Sequence, residues 1–321
     1  MRLLFTRLIT VLACVMAPML AIASPLVSPA WLSDKLDDEK IVIIDLRNKI
    51  DKGSYESFLQ GHIPGAIHSD YLKDGWRVGR DGVVGLLPQA EQFEGLARRL
   101  GVSDDTHVVV VPAGVSSTDF GSAARAYWTF KVFGHDNVSV LDGGYAAWRA
   151  FAPGKIETGA FTAPEPGNFV ARFNPQYYIG KADVASYAAD PSQATLVDGR
   201  NDAQFYAAAK HPKAAEAGRI PSAILMDQDN AYAAEQNRLK SRDELAEIYR
   251  GVGDKTIVSY CNTGHWAATN WFVMSEVLRK DNVKLYDGSM VEWTADSSLP
   301  LDVSGKSNMQ KIKDMFSGLL G

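Results

Sequence analysis

The chain has 321 residues, 46% of them hydrophobic, and its 33 basic and 38 acidic residues give a formal net charge of −5. An acidic chain without a block of lysines and arginines argues against a nucleic-acid partner and against stable association with an anionic membrane. A chain of this length exceeds what one hydrophobic core usually supports, so we expect two domains.

The N-terminus has the pattern of a secretory signal peptide. Arg2 and Arg7 precede an apolar run over residues 8–23, which ends in a small-x-small cleavage pattern. The run is shorter than the ~20 apolar residues of a membrane-spanning helix, and a proline interrupts it. We therefore predict that residues 1–23 are cleaved off and that the protein is exported to the periplasm. Lipid attachment at Cys14 is the less favoured alternative.

Short β-branched runs alternate with a helical pattern along the next part of the chain. The runs predict buried strands at residues 41–45, 108–111 and 138–141. The spacing of Phe93, Leu96 and Leu100 predicts an amphipathic helix. We assign residues 24–152 to a first domain, and the proline- and glycine-rich residues 153–175 to an extended linker.

The second half has the same kind of pattern. Strands are predicted at residues 196–198, 256–260 and 283–286. A capping box at residues 241–244 begins an amphipathic helix. We assign residues 176–303 to a second domain and residues 304–321 to a tail with apolar residues at helical spacing. Apolar strands that alternate with amphipathic helices predict, in each domain, a parallel sheet covered by helices on both faces.

Three segments recur in the same order in both halves, which indicates a duplicated domain. The paired segments are IVIIDLR (41–47) with ATLVDGR (194–200), GHIPGA (61–66) with GRIPSA (218–223), and LDGG (141–144) with YDGS (286–289).

Cys261 is the one cysteine that remains when Cys14 leaves with the signal peptide. A single thiol forms no internal disulfide, so it is either buried and inert or free and reactive. It lies where the strand over residues 256–260 turns into a helix. The turn continues through Asn262, Thr263, Gly264, His265 and Trp266. Amides at the start of a helix stabilise a thiolate or a persulfide anion, so we predict a reactive thiol cradled by this loop.

Taken together, the Asp-x-Arg strand ends, the GHIPGA segment, the Cys-x-x-Gly loop and the LDGG segment resemble the rhodanese superfamily, specifically its exported tandem-domain sulfurtransferases. The resemblance covers about residues 26–303. It implies an α/β fold with two rhodanese-like domains, each a parallel-sheet core flanked by helices on both faces. It also implies a catalytic second domain and a non-catalytic first domain, in which Pro112 stands where the second domain has Cys261.

The resemblance further implies an enzyme that moves a sulfane sulfur from a small donor to a thiophilic acceptor through a persulfide on Cys261. The expected donor is thiosulfate, 3-mercaptopyruvate or a persulfide, and the acceptor is a small molecule or a protein. No metal or organic cofactor is implied, and the six histidines show no metal-ligand spacing. A periplasmic sulfur carrier or protein-interaction module without enzymatic turnover stays open as the alternative.

Arg200 occupies the position that the resemblance assigns to an anion-binding arginine, and a structural ion pair with Asp198 is its alternative role. The loop differs from both known donor types, because it has neither the Arg-Lys pair of thiosulfate-specific members nor the Gly-Ser-Gly of mercaptopyruvate-specific members. We therefore expect modest activity with thiosulfate that improves as His265 becomes protonated. If Arg200 takes no part, Arg77 or Arg80 of the first domain is the next candidate cation.

Overall fold

The computed structural model describes residues 23–306. The predicted signal peptide apart from Ala23, the alternative lipidation site at Cys14, and residues 307–321 of the predicted tail lie outside the described residues. Within residues 23–306, none of the helices is both long enough and apolar enough to cross a bilayer.

The described part of the first half contains a parallel sheet, a hairpin and five α-helices. Its strands are β1 (Leu26–Val27), β2 (Ile41–Asp45), β3 (Ile67–His68), β4 (Val78–Arg80), β5 (Val83–Leu86), β6 (His107–Val111) and β7 (Val138–Leu141). Its helices are α1 (Pro29–Ser33), α2 (Tyr55–Gln60), α3 (Ala90–Arg99), α4 (Ser117–Val132) and α5 (Gly144–Phe151). Five strands form the sheet in the order β1-β7-β6-β2-β3, while β4 and β5 pair antiparallel as a separate hairpin.

The second half repeats this plan. Its strands are β8 (Ala194–Asp198), β9 (Ile224–Leu225), β10 (Tyr232–Ala233), β11 (Arg238–Leu239), β12 (Thr256–Tyr260) and β13 (Val283–Leu285). Its helices are α6 (Lys181–Ala189), α7 (Asp202–Phe205), α8 (Arg242–Ile248), α9 (His265–Phe272) and α10 (Ser289–Thr294). The parallel order β13-β12-β8-β9 matches β7-β6-β2-β3 of the first half, so the predicted fold class is confirmed.

The register of the two sheets makes the duplicated positions equivalent. Val111 pairs with Asp45 at the end of β6, and Tyr260 pairs with Asp198 at the end of β12. The next residues along the chain, Pro112 and Cys261, therefore leave their sheets at the same place. In a parallel α/β sheet this carboxyl edge is where ligands bind.

Helices α4 and α9 join the two halves. Along α4, residues 119–132 are all buried, because this helix is covered by its own sheet on one side and by α9 on the other. The rings of Tyr127 and Phe272 meet edge to face at 4.9 Å, and the Tyr127 hydroxyl donates to the Glu276 carboxylate at 2.7 Å. The carboxyl edge of the second sheet consequently faces residues of the first half.

The residues predicted as a linker bond to the first half. Residues 153–175 contain no regular helix, and their ladder contact is the single bridge between Glu157 and His62. Phe169 donates its amide to the carbonyl of Val102, and Arg172 to that of Phe133. The segment is thus extended and fixed by backbone hydrogen bonds.

Candidate active site

Cys261 follows directly on β12 and is 1% exposed. The loop after it ends at Gly264, which adopts a left-handed φ of 69° and begins helix α9 without a side-chain cap. A Cβ atom at this glycine would lie 2.8 Å from Asp287 Cα and would also meet the Arg125 guanidinium. Since the first amides of an α-helix have no partner within it, those of α9 are available to an anion held at the thiol.

Ser289, the first residue of α10, holds both ends of this loop. Its hydroxyl oxygen accepts the N–H of Cys261 at 3.0 Å and the N–H of Gly264 at 3.1 Å, and its O–H donates to the carbonyl of Tyr286 at 2.8 Å. The amide of Met290 donates to the Cys261 carbonyl at 3.1 Å. One buried hydroxyl thereby sets the width of the turn in which the thiol lies.

Asn262 and Thr263 are fixed from opposite sides. The Asn262 amide nitrogen donates to Gln204 Oε1 at 3.0 Å, while its oxygen is buried without a partner among the described residues. Thr263 packs on the β4–β5 hairpin of the first half at Gly85, where a Cβ atom would lie 2.8 Å from the Thr263 carbonyl oxygen. The hairpin therefore closes over the loop only because residue 85 lacks a side chain.

His265 is held neutral between two groups of the first half. Its Nε2 lies 2.8 Å from the Thr118 carbonyl oxygen, which can only accept, so Nε2 carries the hydrogen and Nδ1 accepts from the Tyr71 hydroxyl at 2.9 Å. Burial lowers the pKa of His265 to about 3, and the positive charge of Arg77 acts in the same direction. This corrects the expectation that protonation of His265 improves the use of thiosulfate, because a buried imidazole with these partners stays neutral at physiological pH.

Trp266 lies beside His265, and its indole N–H donates to the Thr118 hydroxyl at 3.2 Å. Helix α9 thus begins against the first turn of α4, in which Thr118 contacts both ring systems.

Arg200 has the role that we named as its alternative. Its guanidinium forms a buried ion pair with Asp198 at 2.6 Å and donates to the Gly218 carbonyl at 2.8 Å. Arg47 repeats the arrangement in the first half with Asp45 and Gly61. Both arginines tie the Asp-x-Arg strand end to the segment that contains the Ile-Pro motif. Arg200 is 1% exposed and is not among the residues that line the cavity at Cys261, so the structure favours the ion pair over its assignment as a substrate-binding residue.

The cavity at Cys261 has a volume of about 180 Å³ and lies between the two halves. The first half contributes Ile50, Arg77 and Thr118, and the second contributes His211, Cys261, Asn262, Thr263, His265 and Trp266. Of the two first-half cations that we named as further candidates, Arg77 lines the cavity, whereas Arg80 donates to the Leu87 carbonyl at 2.9 Å. Tyr71 and Thr118 carried no signal in the sequence, because their relevance depends on how the halves pack.

The equivalent turn of the first half is filled by the chain itself. After Pro112, the amides of Ala113, Gly114 and Val115 all donate to the carboxylate of Asp119, at 3.1, 2.6 and 3.2 Å. Burial raises the pKa of Asp119 to about 7, with Asp51 acting in the same direction and the three amides opposing it. The first turn thus has an internal carboxylate in the position where the second turn has an open cavity and a thiol.

The family model described as "Rhodanese-like domain" matches residues 28–151 and again residues 181–296. The chain is 35% identical over 282 residues to the 3-mercaptopyruvate sulfurtransferase of Escherichia coli strain K12, covering 85% of this chain and 95% of that protein. It is 31% identical over 280 residues to the sulfur carrier protein TtuD of Thermus thermophilus, covering 84% of this chain and 93% of that protein.

Among solved structures, the chain is similar to the crystal structure of SseA from Escherichia coli, described as a 3-mercaptopyruvate sulfotransferase. The TM-score is 0.69 at 31% sequence identity, and the match covers 83% of this chain and 99% of that one. The duplicated sheets, the turn at Cys261 and these likenesses agree, so the chain belongs to the rhodanese family as a tandem-domain enzyme of the sulfurtransferase type.

Proposed function

We propose that Cys261 is the nucleophile of this sulfurtransferase and that it transfers sulfur as a persulfide. The observation that carries the proposal is the position of Cys261 at the carboxyl edge of the second sheet, beside the start of α9 and inside a cavity shared by both halves. It is also the one cysteine among residues 23–306. A cavity of about 180 Å³ has room for a small donor, and Cys261 itself is 1% exposed.

In the first step, the Cys261 thiolate attacks the transferable sulfur of the donor, and a new S–S bond forms at Sγ. With 3-mercaptopyruvate, the C–S bond breaks and its electron pair stays on carbon as the pyruvate enolate, which is then protonated. With thiosulfate, the S–S bond breaks and sulfite leaves. In the second step, an acceptor nucleophile attacks the outer sulfur, the persulfide bond breaks, and its electron pair returns to Cys261 as the thiolate.

The loop supports 3-mercaptopyruvate as a better donor than thiosulfate. Thiosulfate is a compact dianion that leaves as sulfite beside the loop, so it calls for several cations near the thiol. Asn262, Thr263 and the neutral His265 supply none. A singly charged carboxylate needs less compensation, and the likeness to the 3-mercaptopyruvate sulfurtransferase supports the same choice.

The test is a comparison of donors with wild type and Cys261→Ser. Pyruvate release from 3-mercaptopyruvate and thiocyanate formation from thiosulfate, each with cyanide as acceptor, should both disappear in Cys261→Ser, because a hydroxyl is not ionised at neutral pH. Wild type should have the higher kcat/KM for 3-mercaptopyruvate. Substantial turnover by Cys261→Ser would overturn the proposal, and a preference for thiosulfate would overturn the donor assignment alone.

The proposal also includes a protein as an acceptor of the sulfur and the periplasm as the location of the enzyme. The likeness to a protein named a sulfur carrier supports a protein acceptor beside small thiols, while the similarity to a named sulfurtransferase favours turnover over a carrier without it. The pattern of residues 1–23 supports export to the periplasm. N-terminal sequencing of the protein from periplasmic extract should begin at Ser24; an intact N-terminus in the cytosol, or a lipid on Cys14, would overturn this assignment.

A further inference from the structure

The cavity at Cys261 contains one guanidinium whose charge nothing in the described chain neutralises. Arg125 is paired with Asp287 at 3.6 Å, and Arg200 is paired with Asp198. Arg77, in contrast, makes no ion pair and no hydrogen bond with any residue in the range 23–306. Its Nε is buried without a partner, as are those of Arg125 and Arg238, but these two arginines have carboxylate partners. A buried donor without a partner costs free energy, which a ligand or water that accepts from it would recover.

Neighbouring residues of the first half hold Arg77 in place. Its guanidinium carbon lies 4.8 Å from the centre of the Tyr71 ring, a cation–π contact. The preceding residue, Trp76, is fully buried and donates its indole N–H to Ser69 at 2.9 Å. These contacts hold the side chain of Arg77 in place without a ligand, while its guanidinium N–H groups have no acceptor among the described residues.

The other cavity residues make Arg77 the dominant charge there. Among the described lining residues, it alone carries a fixed positive charge, and none of them is a carboxylate. The charge of Arg77 lowers the pKa of two lining histidines: burial is the larger cause at both His265 and His211, and Arg77 follows it. Its field therefore reaches the loop of Cys261 and the opposite wall of the cavity.

Resting on the function proposed above, we infer that Arg77, a residue of the half without the thiol, binds the anionic group of the sulfur donor in this cavity. The planar guanidinium offers paired N–H donors to two oxygens of a carboxylate or a sulfonate. In thiosulfate, the anionic oxygens are on the atom bonded to the transferable sulfur, and in 3-mercaptopyruvate the carboxylate is the third carbon from that sulfur. The first domain thus determines which donors reach Cys261, although it supplies no nucleophile.

The test is steady-state kinetics of Arg77→Gln, Arg77→Lys and Arg80→Gln with 3-mercaptopyruvate and with thiosulfate. Arg77→Gln should raise KM for both anionic donors about tenfold or more, while kcat at saturating donor falls much less. The KM of Arg77→Lys should lie between those of Arg77→Gln and wild type, because lysine keeps the positive charge but lacks the paired N–H donors of the guanidinium. Arg80→Gln removes the same charge three residues further along, outside the cavity, and should leave KM within about twofold.

A second readout is inhibition by sulfate, an inert oxyanion. Its inhibition constant in competition with 3-mercaptopyruvate should rise in Arg77→Gln and not in Arg80→Gln. If Arg77→Gln does not fold, two other measurements test the inference. The KM of Arg77→Lys should exceed that of wild type, and the KM of wild type should rise with ionic strength.

Intact mass separates failure of this inference from failure of the proposed function. High donor concentrations should still load Arg77→Gln with one sulfur, about 32 Da, on Cys261. Persulfide formation in wild type with an unchanged KM in Arg77→Gln would overturn the role of Arg77 alone. The absence of a persulfide in wild type that turns over would overturn the proposed function.

Discussion

Replacing Ser289 with alanine tests whether the loop around Cys261 is held by a single hydroxyl. In the structure, Ser289 Oγ accepts two amides, those of Cys261 and Gly264, and donates to the carbonyl of Tyr286. Ser289 is fully buried, so water does not replace these bonds. Each buried polar group left without a partner costs about 1–3 kcal/mol, and partial relaxation of the loop limits the total to about 2–5 kcal/mol.

The kinetic effect should exceed that of destabilisation alone. Without the hydroxyl, nothing joins the N–H groups at the two ends of the turn, so we expect Sγ to shift relative to the start of α9. A displacement of about 1 Å at reacting atoms can reduce a rate on the order of 100-fold, so we expect persulfide formation at saturating donor to slow by about 10- to 100-fold. The measurement is single-turnover loading of Cys261 followed by mass spectrometry, with urea unfolding for stability.

Ser259→Ala is the matched control. Ser259 is also a fully buried serine of the second half, and its hydroxyl donates to the Ala267 carbonyl at 2.9 Å without touching the loop amides. It should lose about 1 kcal/mol of stability and keep the wild-type loading rate. Equal loading rates for Ser289→Ala and wild type would refute the reasoning, as would an equal loss in both variants.

The remaining predictions concern His265, the arginines at the strand ends, and Gly264. The imidazole of His265 should stay neutral from pH 8.5 to 5, because burial lowers its pKa to about 3. NMR titration of its ring should show no midpoint in that range. Protonation of His265 should therefore not contribute to the pH dependence of kcat/KM for thiosulfate over that range. The same depressed pKa should make the free energy of unfolding fall as the pH drops from about 6.5 towards 3, because the histidine binds a proton in the unfolded state first. If the stability of wild type instead rose over this window relative to His265→Asn, the predicted direction would be wrong. Arg200→Ala should lower the free energy of unfolding by about 3–5 kcal/mol in urea, because Asp198 is left buried and unpaired, and Arg47→Ala should do the same at Asp45. A stable Arg200→Ala enzyme with only a raised KM would instead indicate that Arg200 binds the donor. Gly264→Ala should lower the free energy of unfolding by about 2–5 kcal/mol, because alanine would have to adopt a left-handed φ and its Cβ would lie 2.8 Å from Asp287 Cα. An alanine variant as stable as wild type would show that the turn is not constrained in this way.

The sequence was sufficient for features that depend on local pattern and on repetition. The strand over residues 256–260, the turn at Cys261 and the helix after it are consecutive in the chain, so the position of the thiol follows from β-branched spacing and a glycine. The repeated motifs predicted two equivalent sheets, and the pairing of Tyr260 with Asp198 and of Val111 with Asp45 has the symmetry expected of a duplication.

The contacts between the halves could not be predicted in this way. Tyr71 and Thr118 come from separate elements of the first half, and they determine the protonation state of His265 in the second. The roles of the arginines also depend on packing. Arg200 forms an ion pair with Asp198, two residues earlier in the chain, whereas Arg77 lines the cavity and has no carboxylate partner among the described residues. Sequence shows that a residue is charged, but only the packed structure shows whether that charge is already neutralised.

The persulfide on Cys261 is tested most directly by the intact mass of the purified protein after brief exposure to 3-mercaptopyruvate without an acceptor. We expect a gain of one sulfur, about 32 Da, that maps to Cys261 and is absent in Cys261→Ser. Addition of cyanide should remove this sulfur and release a stoichiometric amount of thiocyanate. Turnover of donor without a sulfur adduct on Cys261, or an adduct of equal extent in Cys261→Ser, would contradict this expectation.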